Sequence, residues 1–418
     1  MFIALSIRNL LRNRGQLAIN TIVVMIASCL LVVALGQIGG INRTLTNSVT
    51  DTLTGHITIK PSSAPVNFFQ FESSRKLPLI SPDEIEKTTQ ALSQLSYVEA
   101  VAPRLRFGSL IGDDERSSPA MVFAVDPQLE AKASPDLAEI VAPLSQNGGA
   151  VISEKLLKKS RLTLNDYIVV FSETPSSSFN AGQFQLKNTI NTPVLIDEYV
   201  NNIVFISLED ARHLLYLDGD ASEIVIRLKP DFRSKEQLAL ASREIQGILD
   251  ANATSLNSYT YSQVESSIEN ISSIASGMGF IQVGTIMLVM LVTVLILTSI
   301  SLYERRFEIG ALMSIGMTPW RLTLMFMLEV FFKTIIGFLA GFVLGVAILS
   351  IINAVGGIQS TSQIDQYIYG GKQMFPIIDL GSSLLGGLLM VLVAMAVTLV
   401  SCVRAARQDP VALLNNRK

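Results

Sequence analysis

The chain has 418 residues, of which 49% are hydrophobic and only 16% are charged. A soluble chain of this length would rarely be so apolar, so the composition argues against an ordinary soluble protein. The net charge of -3 identifies no partner, because in membrane proteins the positions of Lys and Arg matter more than their sum.

Four long apolar segments predict four membrane-spanning helices. One lies near the start of the chain and three lie in its last third: 17–39, 278–302, 322–352 and 380–403. Each is long enough to cross a hydrocarbon core about 30 Å thick at about 1.5 Å per helical residue. The first apolar run is too long for the core of a secretory signal peptide, so we expect it to be retained. This layout predicts a membrane protein with one large domain between its first and second spans.

Positively charged residues predict the orientation of these spans. They occur before the first span, between the second and third, and after the fourth: Arg8, Arg12, Arg14, Arg305, Arg306, Arg321, Arg404, Arg407, Arg417 and Lys418. Since Lys and Arg concentrate on the cytoplasmic side, both termini and the segment 303–321 are expected inside. The insert 40–277 and the connection 353–379, whose one cation is Lys372, are expected outside.

The insert 40–277 has the pattern of a folded domain of mixed α and β structure. Short β-rich runs alternate with stretches of helical spacing. The predicted strands are 122–125, 167–171, 194–197, 203–206 and 223–228, and the predicted helices are 82–95, 235–249 and 262–276. Ser81 and Ser207 each precede early carboxylates, which is the pattern of a helix N-cap.

The two ends of the insert, 36–51 and 262–278, predict a stalk of two helices that continue beyond the membrane. No strong helix breaker separates the apolar and polar parts, and a continuous helix would transmit a movement that a flexible linker would absorb. Separate helices with a frayed join are the alternative, because glycine weakens helices. The glycines that keep this alternative open are Gly36, Gly39, Gly40, Gly277 and Gly279.

The chain lacks the motifs of an enzyme. The segment around Gly371 does not form a phosphate-binding loop, so the chain is not its own ATPase. His56 and His213 lie far apart, and neither has enough neighbouring donors for a metal site. The two cysteines, Cys29 and Cys402, fall in predicted spans, so no disulfide is possible in the insert. We therefore expect no catalytic residue, no metal or cofactor bound by this chain, and no nucleic-acid partner.

The third apolar segment, 322–352, contains two further patterns. Glu329 and Lys333 are four residues apart and share a helix face. We favour a pair within the helix near the cytoplasmic boundary over a proton relay or a coupling switch. Glycines also recur at four-residue spacing, at Gly337, Gly341 and Gly345. This stripe allows close packing against span two or four of the same chain, or against a second subunit.

The segment between the second and third spans, YERRFEIGALMSIGMTPWRL, predicts a short docking helix on the membrane surface or in the groove of a partner. It resembles the loop after the second span in the MacB/FtsX-type permease family of ABC transporters, and most closely in its lipoprotein-releasing, LolC/LolE-like branch. In that family this loop is the coupling helix that sits in a cleft of the ATPase. The resemblance assigns this role to Tyr303, Glu304, Arg305, Glu308, Ile309, Gly310, Leu312, Ile315, Gly316 and Met317.

Departures from the family pattern accompany the resemblance. Phe307 and Met313 stand where the family often has polar or basic residues, so the ATPase contact is expected to be more apolar here. Asn165 stands where the family usually has glycine, which predicts a left-handed turn residue.

The resemblance covers nearly the whole chain. The start IRNLLRNRGQ and the tail RAARQDPVALL are similar to the terminal segments of the family, and AVISEKLLKKSRLTLNDYIVV and FISLEDARHLLYLDGDASEIVIRL are similar to parts of its external domain. The implied fold class is membrane α-helical, with four transmembrane helices in a 1+3 arrangement and a large mixed α/β extracytoplasmic domain of porter-like and sabre-like parts.

The domains implied by this resemblance follow the topology of the spans. They are a cytoplasmic amphipathic helix 1–16, the spans 17–39, 278–302, 322–352 and 380–403, the extracytoplasmic domain 40–277, the coupling loop 303–321, the external loop 353–379 and the cytoplasmic tail 404–418. Within the extracytoplasmic domain, the porter-like part is 41–115 with 220–265, the sabre-like insert is 116–219, and the stalk ends are 36–51 and 262–278.

The function implied by the resemblance is that of a non-catalytic permease subunit in the bacterial inner membrane that works by mechanotransmission. A dimer of separate cytoplasmic ATPase subunits would bind ATP and Mg²⁺, and a second permease chain, identical or homologous, would complete the complex within the membrane lipid. The implied cargo is a lipoprotein or similar lipidated molecule. Export of peptides or drugs with a periplasmic adaptor, regulation of a cell-wall hydrolase and a simple membrane receptor are the alternatives.

An aromatic run in the insert provides the candidate cargo contacts Phe68, Phe69 and Phe71. If exposed, these side chains could contact the acyl chains of a lipoprotein. Packing into the domain is the favoured interpretation, because aromatic residues mostly fill cores.

Overall fold

The computed structural model describes residues 14–67, 74–112, 117–146, 148–190, 202–252, 254–264, 266–362, 369, 371 and 373–406. The helices are α1 (Arg14–Val49), α2 (Pro82–Ser93), α3 (Pro127–Ala133), α4 (Ala138–Val141), α5 (Glu154–Ser160), α6 (Leu208–Leu215), α7 (Lys235–Ala251), α8 (Tyr261–Val264), α9 (Ser266–Glu304), α10 (Arg306–Ser314), α11 (Pro319–Ala354) and α12 (Leu380–Ala406). The strands are β1 (Ile57–Pro61), β2 (Val98–Gly112), β3 (Ser117–Val125), β4 (Gly149–Ser153), β5 (Tyr167–Glu173), β6 (Phe179–Ile190), β7 (Ile203–Ser207), β8 (Glu223–Leu228), β9 (Leu256–Thr260), β10 (Ile358–Gln359) and β11 (Gln373–Met374). A π-helical turn, Thr50–Thr54, follows α1.

The chain divides into two compact units. The helical unit contains Met1–Asn42, Ser273–Gln359 and Gln373–Lys418, and the sheet unit contains Arg43–Ser272 and Ser360–Lys372. Two of the divisions fall inside α1 and α9, so each of these helices contributes residues to both units.

Among the described residues, four helices are long and apolar enough to cross a membrane: Leu17–Thr54, Ser276–Glu304, Pro319–Ala354 and Leu380–Arg404. Together with the mixed sheet described below, they confirm the predicted fold class. The helices α1 and α9 also run without a break through the five glycines at which a frayed join was the alternative. That alternative is not observed.

The helical unit has an apolar centre to which its four long helices contribute. Val24 of α1, Met290 and Val294 of α9, and Met390 and Ala394 of α12 are buried together. Val330 of α11 packs against them. Such burial fixes the helices of one chain against each other by close van der Waals contact, which is the main source of attraction between helices surrounded by lipid.

The sheet unit is built on a nine-stranded sheet in the order β3-β7-β4-β6-β5-β2-β8-β1-β9. Strand β2 also pairs with β3, so six of the strands close into a barrel and β8, β1 and β9 extend from it. Two pairs, β3 with β7 and β4 with β6, are parallel, and the other described pairs are antiparallel. Closure removes the free edges that a six-stranded sheet would otherwise expose.

Strand β3 shows how the core is arranged around the barrel. Ala120, Val122 and Ala124 belong to one buried cluster, while Met121 and Phe123 belong to another on the opposite face. This is the two-residue alternation of a strand that is covered on both sides. A third cluster packs β1, β8 and β9 against α2 and α7.

Local sequence signals agree with several observed elements. Ser81 forms a capping box with Glu84 at the start of α2, and the Ser207 hydroxyl accepts a hydrogen bond from the Asp210 N–H at the start of α6. Asn165 has a positive φ of 76°, as predicted. The predicted strand 194–197 lies outside the described residues.

Candidate functional site: the coupling segment between α9 and α11

The segment 303–321, which we call the coupling segment, folds as the end of α9, the short helix α10 and the start of α11. The end of α10 is closed by two hydrogen bonds, from the Met317 N–H to the Leu312 carbonyl at 3.0 Å and from the Gly316 N–H to the Met313 carbonyl at 3.0 Å. This is a Schellman motif, which requires a left-handed residue after the helix. Gly316, with a φ of 96°, supplies it. Its role is therefore conformational.

One side of α10 packs inward. Ile309 and Gly310 are buried, and Leu312, Met313 and Met317 pack against a cluster at the ends of α9, α11 and α12. The residues of that cluster are Leu302, Ile309, Leu322, Met325, Phe326 and Cys402. Of the residues that the resemblance assigned to the coupling helix, Ile309 and Gly310 are therefore buried, whereas Leu312 and Met317 are partly exposed.

The coupling segment also exposes several large apolar side chains. Tyr303, Phe307, Ile315 and Trp320 have exposed fractions between 59% and 86%, and Glu308 is exposed beside them. We call these five residues the exposed coupling face. Phe307 and Trp320 were not among the predicted coupling residues. The sequence shows that these side chains are apolar, but it does not show which of them are exposed. Only the structure shows that Phe307 and Trp320 point outward whereas Met313 points inward.

A buried ion cluster ties the coupling segment to α11. The Glu329 carboxylate lies 2.7 Å from the Lys333 ammonium and 3.0 Å from the Arg305 guanidinium, and all three side chains are at most 6% exposed. The predicted pair within the helix is present, and Arg305 joins it from the junction of α9 and α10. A buried carboxylate is tolerated only when it is paired, so both cations fix the position of Glu329.

The glycine stripe of α11 faces α1. A β-carbon on Gly341 would lie 2.2 Å from the Met25 carbonyl oxygen, and one on Gly337 would lie 2.7 Å from the Val24 β-carbon. Gly345 is similarly close to Val32. The expectation that the stripe meets span two or four is wrong for the described residues, because the backbone of α11 approaches the first span.

The two histidines lie apart in the sheet unit. Burial, followed by the charges of Arg233 and Arg227, lowers the pKa of His56 to about 3. The His56 Nδ1 accepts a hydrogen bond from the Leu228 N–H at 3.4 Å, which requires a neutral ring. His213 is exposed on α6. In the described part of the chain, no group of three or more His, Cys, Asp and Glu residues could hold a metal ion.

The candidate cargo contacts Phe68, Phe69 and Phe71 lie outside the described residues. The preceding segment is held by Lys60, whose ammonium donates to the carbonyls of Pro65 and Val66 at 3.3 and 3.2 Å.

Comparison with solved structures found similarities over about half of the chain. The periplasmic region of MacB from Actinobacillus actinomycetemcomitans has 12% identity and a TM-score of 0.33, over 51% of this chain and 92% of that one. The extracellular domain of the noncanonic ABC-type transporter YknZ from Gram-positive bacteria has 10% identity and a TM-score of 0.31, over 49% and 99%. A domain of a protein described as a permease from Porphyromonas gingivalis has 15% identity and a TM-score of 0.28, over 50% and 92%.

Comparison with curated protein sequences gave no match. A family comparison does bear on the coupling segment and the three helices around it. Residues 280–410 match the family described as FtsX-like permease C-terminal.

Proposed function

We propose that this chain is the permease subunit of an ABC-type transporter and that it works by mechanotransmission. A separate ATPase binds ATP and Mg²⁺ and docks on the exposed coupling face, and its movement passes to the sheet unit through α1 and α9. The chain itself contributes no catalytic residue. The match of residues 280–410 to FtsX-like permeases supports this proposal.

The exposed coupling face is the observation that carries the proposal. Tyr303, Phe307, Ile315 and Trp320 are large apolar side chains, each more than half exposed, on a segment whose opposite side is packed. Exposed apolar side chains close together in the chain are a common feature of interaction sites, and Tyr and Trp are enriched at the residues that dominate binding energy. A short helix presented in this way fits a groove in a partner protein.

The packing of the helical unit supports a mechanical role. Arg305 joins the coupling segment to Glu329 of α11, and the glycine stripe around Gly341 joins α11 to α1. Close-packed interiors transmit displacement instead of absorbing it. A shift of α10 imposed by a bound ATPase would therefore be passed to α11 and from there to α1.

The remaining parts of the proposal follow the family resemblance. The chain lies in the bacterial inner membrane with both termini and the coupling segment in the cytoplasm, and it pairs with a second permease chain. Its cargo is a lipoprotein or similar lipidated molecule, released from the outer leaflet, and Phe68, Phe69 and Phe71 are candidate contacts for the acyl chains.

Co-purification in mild detergent tests the proposal. The full chain should co-elute with an ATPase, and replacing Phe307 and Trp320 together by serine should remove most of it. Leu240→Ser is the matched control, because Leu240 is 58% exposed but lies on α7 of the sheet unit. An unchanged ATPase yield from the double variant would contradict the proposed docking face.

The identity of the other co-eluting proteins tests the cargo. A trapped lipoprotein would support release, whereas a periplasmic adaptor or a cell-wall hydrolase would redirect the assignment to export or to regulation. Recovery without any ATPase would overturn the proposed function as a whole.

A further inference from the structure

The end of α1 and the π-helical turn after it are buried in the core of the sheet unit. Leu53 is 2% exposed and packs with Val49, Phe123 and Phe205. The last carbonyl groups of a helix have no partner within the helix, and in a buried position water cannot supply one. Another donor is therefore needed at this helix end.

Arg104 of β2 supplies that donor. Its guanidinium donates to the Leu53 carbonyl, to both oxygens of Glu130, with Nε at 2.8 Å from Oε2, and to the Ser134 hydroxyl at 2.8 Å. The side chain is 1% exposed. A guanidinium presents several N–H groups in a fixed plane, so one residue can join the helix end, a strand and α3 at once. The positive charge also suits the negative end of the helix dipole.

A second arginine holds the same turn from the neighbouring strand. Arg227 of β8 donates to the Asp51 carboxylate at 2.5 Å, and its Nε lies 3.3 Å from Glu99. Strands β2 and β8 are paired, with Ala100 opposite Arg227. The turn is thus fastened to two adjacent strands by two charged contacts.

Strand β2 connects these contacts to both parts of the sheet. This strand has 15 residues and pairs with β3 and β5 of the barrel as well as with β8. Arg104 lies where the pairings with β3 and β8 overlap, opposite Val125 on one side and Glu223 on the other. Any displacement of the end of α1 would therefore act on both parts of the sheet.

We propose that Arg104 and Arg227 are positioning residues through which movement of α1 reaches the barrel and the adjoining strands of the sheet unit. This inference rests on the proposed mechanotransmission and identifies the contacts where it enters the sheet. Arg104 contributes the directional contact to the helix backbone, and Arg227 contributes the pair with Asp51. Loss of these contacts would leave the end of α1 connected to the sheet by the chain, by the Thr58 hydroxyl that donates to the Thr54 carbonyl at 2.8 Å, and by apolar packing, which resists sliding less than directed hydrogen bonds do.

Hydrogen exchange on the full chain in lipid nanodiscs, with its co-purified ATPase, tests this inference. In the wild type, Mg-ATP should change the exchange of peptides from β2 and β8. Asp51→Asn should reduce this ATP-dependent change by at least half, and Asp51→Asn combined with Arg104→Lys should abolish it, while ATPase recovery stays unchanged. Lysine keeps the charge at position 104 but cannot reproduce the planar set of contacts.

Two controls separate transmission from folding. Arg233→Ala disturbs Glu99, 3.0 Å away, without touching the helix end, and should leave the ATP-dependent change intact. Asp51 is 13% exposed, so Asp51→Asn tests the inference even if the Arg104 variant fails to fold. In the chain without ATPase, Arg104→Lys should raise exchange in residues 49–57 and in α3, where the guanidinium contacts Glu130, but not in α7.

The outcomes are distinguishable. A full ATP-dependent change in the double variant would overturn this inference and leave the proposed function standing. No ATP-dependent change in the wild-type complex would overturn the proposed function, and the inference with it.

Discussion

Replacing Glu329 with glutamine tests the buried ion cluster directly. The Glu329 carboxylate is paired with the Arg305 guanidinium and the Lys333 ammonium, so the substitution removes a negative charge that both buried cations face. Removing one partner of a buried ion pair costs about 3–5 kcal/mol, because the remaining charge stays desolvated. The glutamine oxygen can still accept one hydrogen bond, so we expect a loss at the lower end, about 3 kcal/mol.

A second substitution distinguishes charge imbalance from lost packing. Glu329→Gln combined with Lys333→Met removes one negative and one positive charge together, so the net charge of the site is the same as in the wild type. Contacting residues commonly show interaction energies of about 0.5–3 kcal/mol, so the double variant should recover stability by an amount in that range. Loss of packing alone would make the double variant less stable than the single one.

Unfolding of the full chain by dodecyl sulfate provides the assay. Trp320 is the single tryptophan of the chain and lies at the start of α11, so its fluorescence reports on this region, and circular dichroism follows the whole chain. A loss of less than about 1 kcal/mol in Glu329→Gln would refute the reasoning, since it would place Glu329 in the range of exposed pairs. A double variant no more stable than the single variant would also refute it.

Three further substitutions test other parts of the structure. Gly341→Ala should cost about 1–3 kcal/mol by forcing its new methyl group against the Met25 carbonyl, whereas Gly284→Ala, at a helical glycine with open space around it, should not destabilise the chain in the same unfolding assay. His56 has a pKa of about 3 in the folded chain and about 6.5 in the unfolded chain, so between these pH values the unfolded state binds more protons. The free energy of unfolding should therefore fall as the pH decreases through this window, by up to about 1.4 kcal/mol per pH unit. Thermal unfolding at several pH values should show this slope reduced in His56→Asn, which keeps a hydrogen-bond acceptor. Gly316→Val should fray the end of α10 and raise amide exchange in residues 312–317, and Gly316→Asn should do so less, because asparagine tolerates a positive φ.

The spans and the fold class could be predicted from the sequence, because a long apolar run is compatible with few structures other than a membrane-spanning helix. Strand β2 shows where such reasoning stops. Its sequence contains Pro103, Arg104 and Arg106, and these residues hide the alternation expected of a strand although both arginines are buried. Their burial depends on Glu130 and Glu223, which lie far away in the chain. A pattern read within a short window cannot contain that information.

The coupling segment shows a related limit. Family resemblance predicted the segment, but it could not separate the exposed residues of α10 from the residues that pack it against the other helices. Ile309 and Phe307 are two positions apart on α10, and one is 2% exposed whereas the other is 59% exposed. The difference follows from the direction in which α10 packs on α11 and α12, which the spacing within α10 does not determine.

Two buried arginines, Arg305 in the helical unit and Arg104 in the sheet unit, share one physical feature. Arg305 meets Glu329 across 24 residues of sequence, and Arg104 meets the Leu53 carbonyl across 51. Each is desolvated, so moving either one away from its partner would break a charge-assisted hydrogen bond that water cannot replace. Such contacts resist separation more strongly than apolar contacts, which can slide at little cost. In a chain that passes on movement, charged contacts of this kind are therefore expected where one element must follow another, and apolar packing elsewhere.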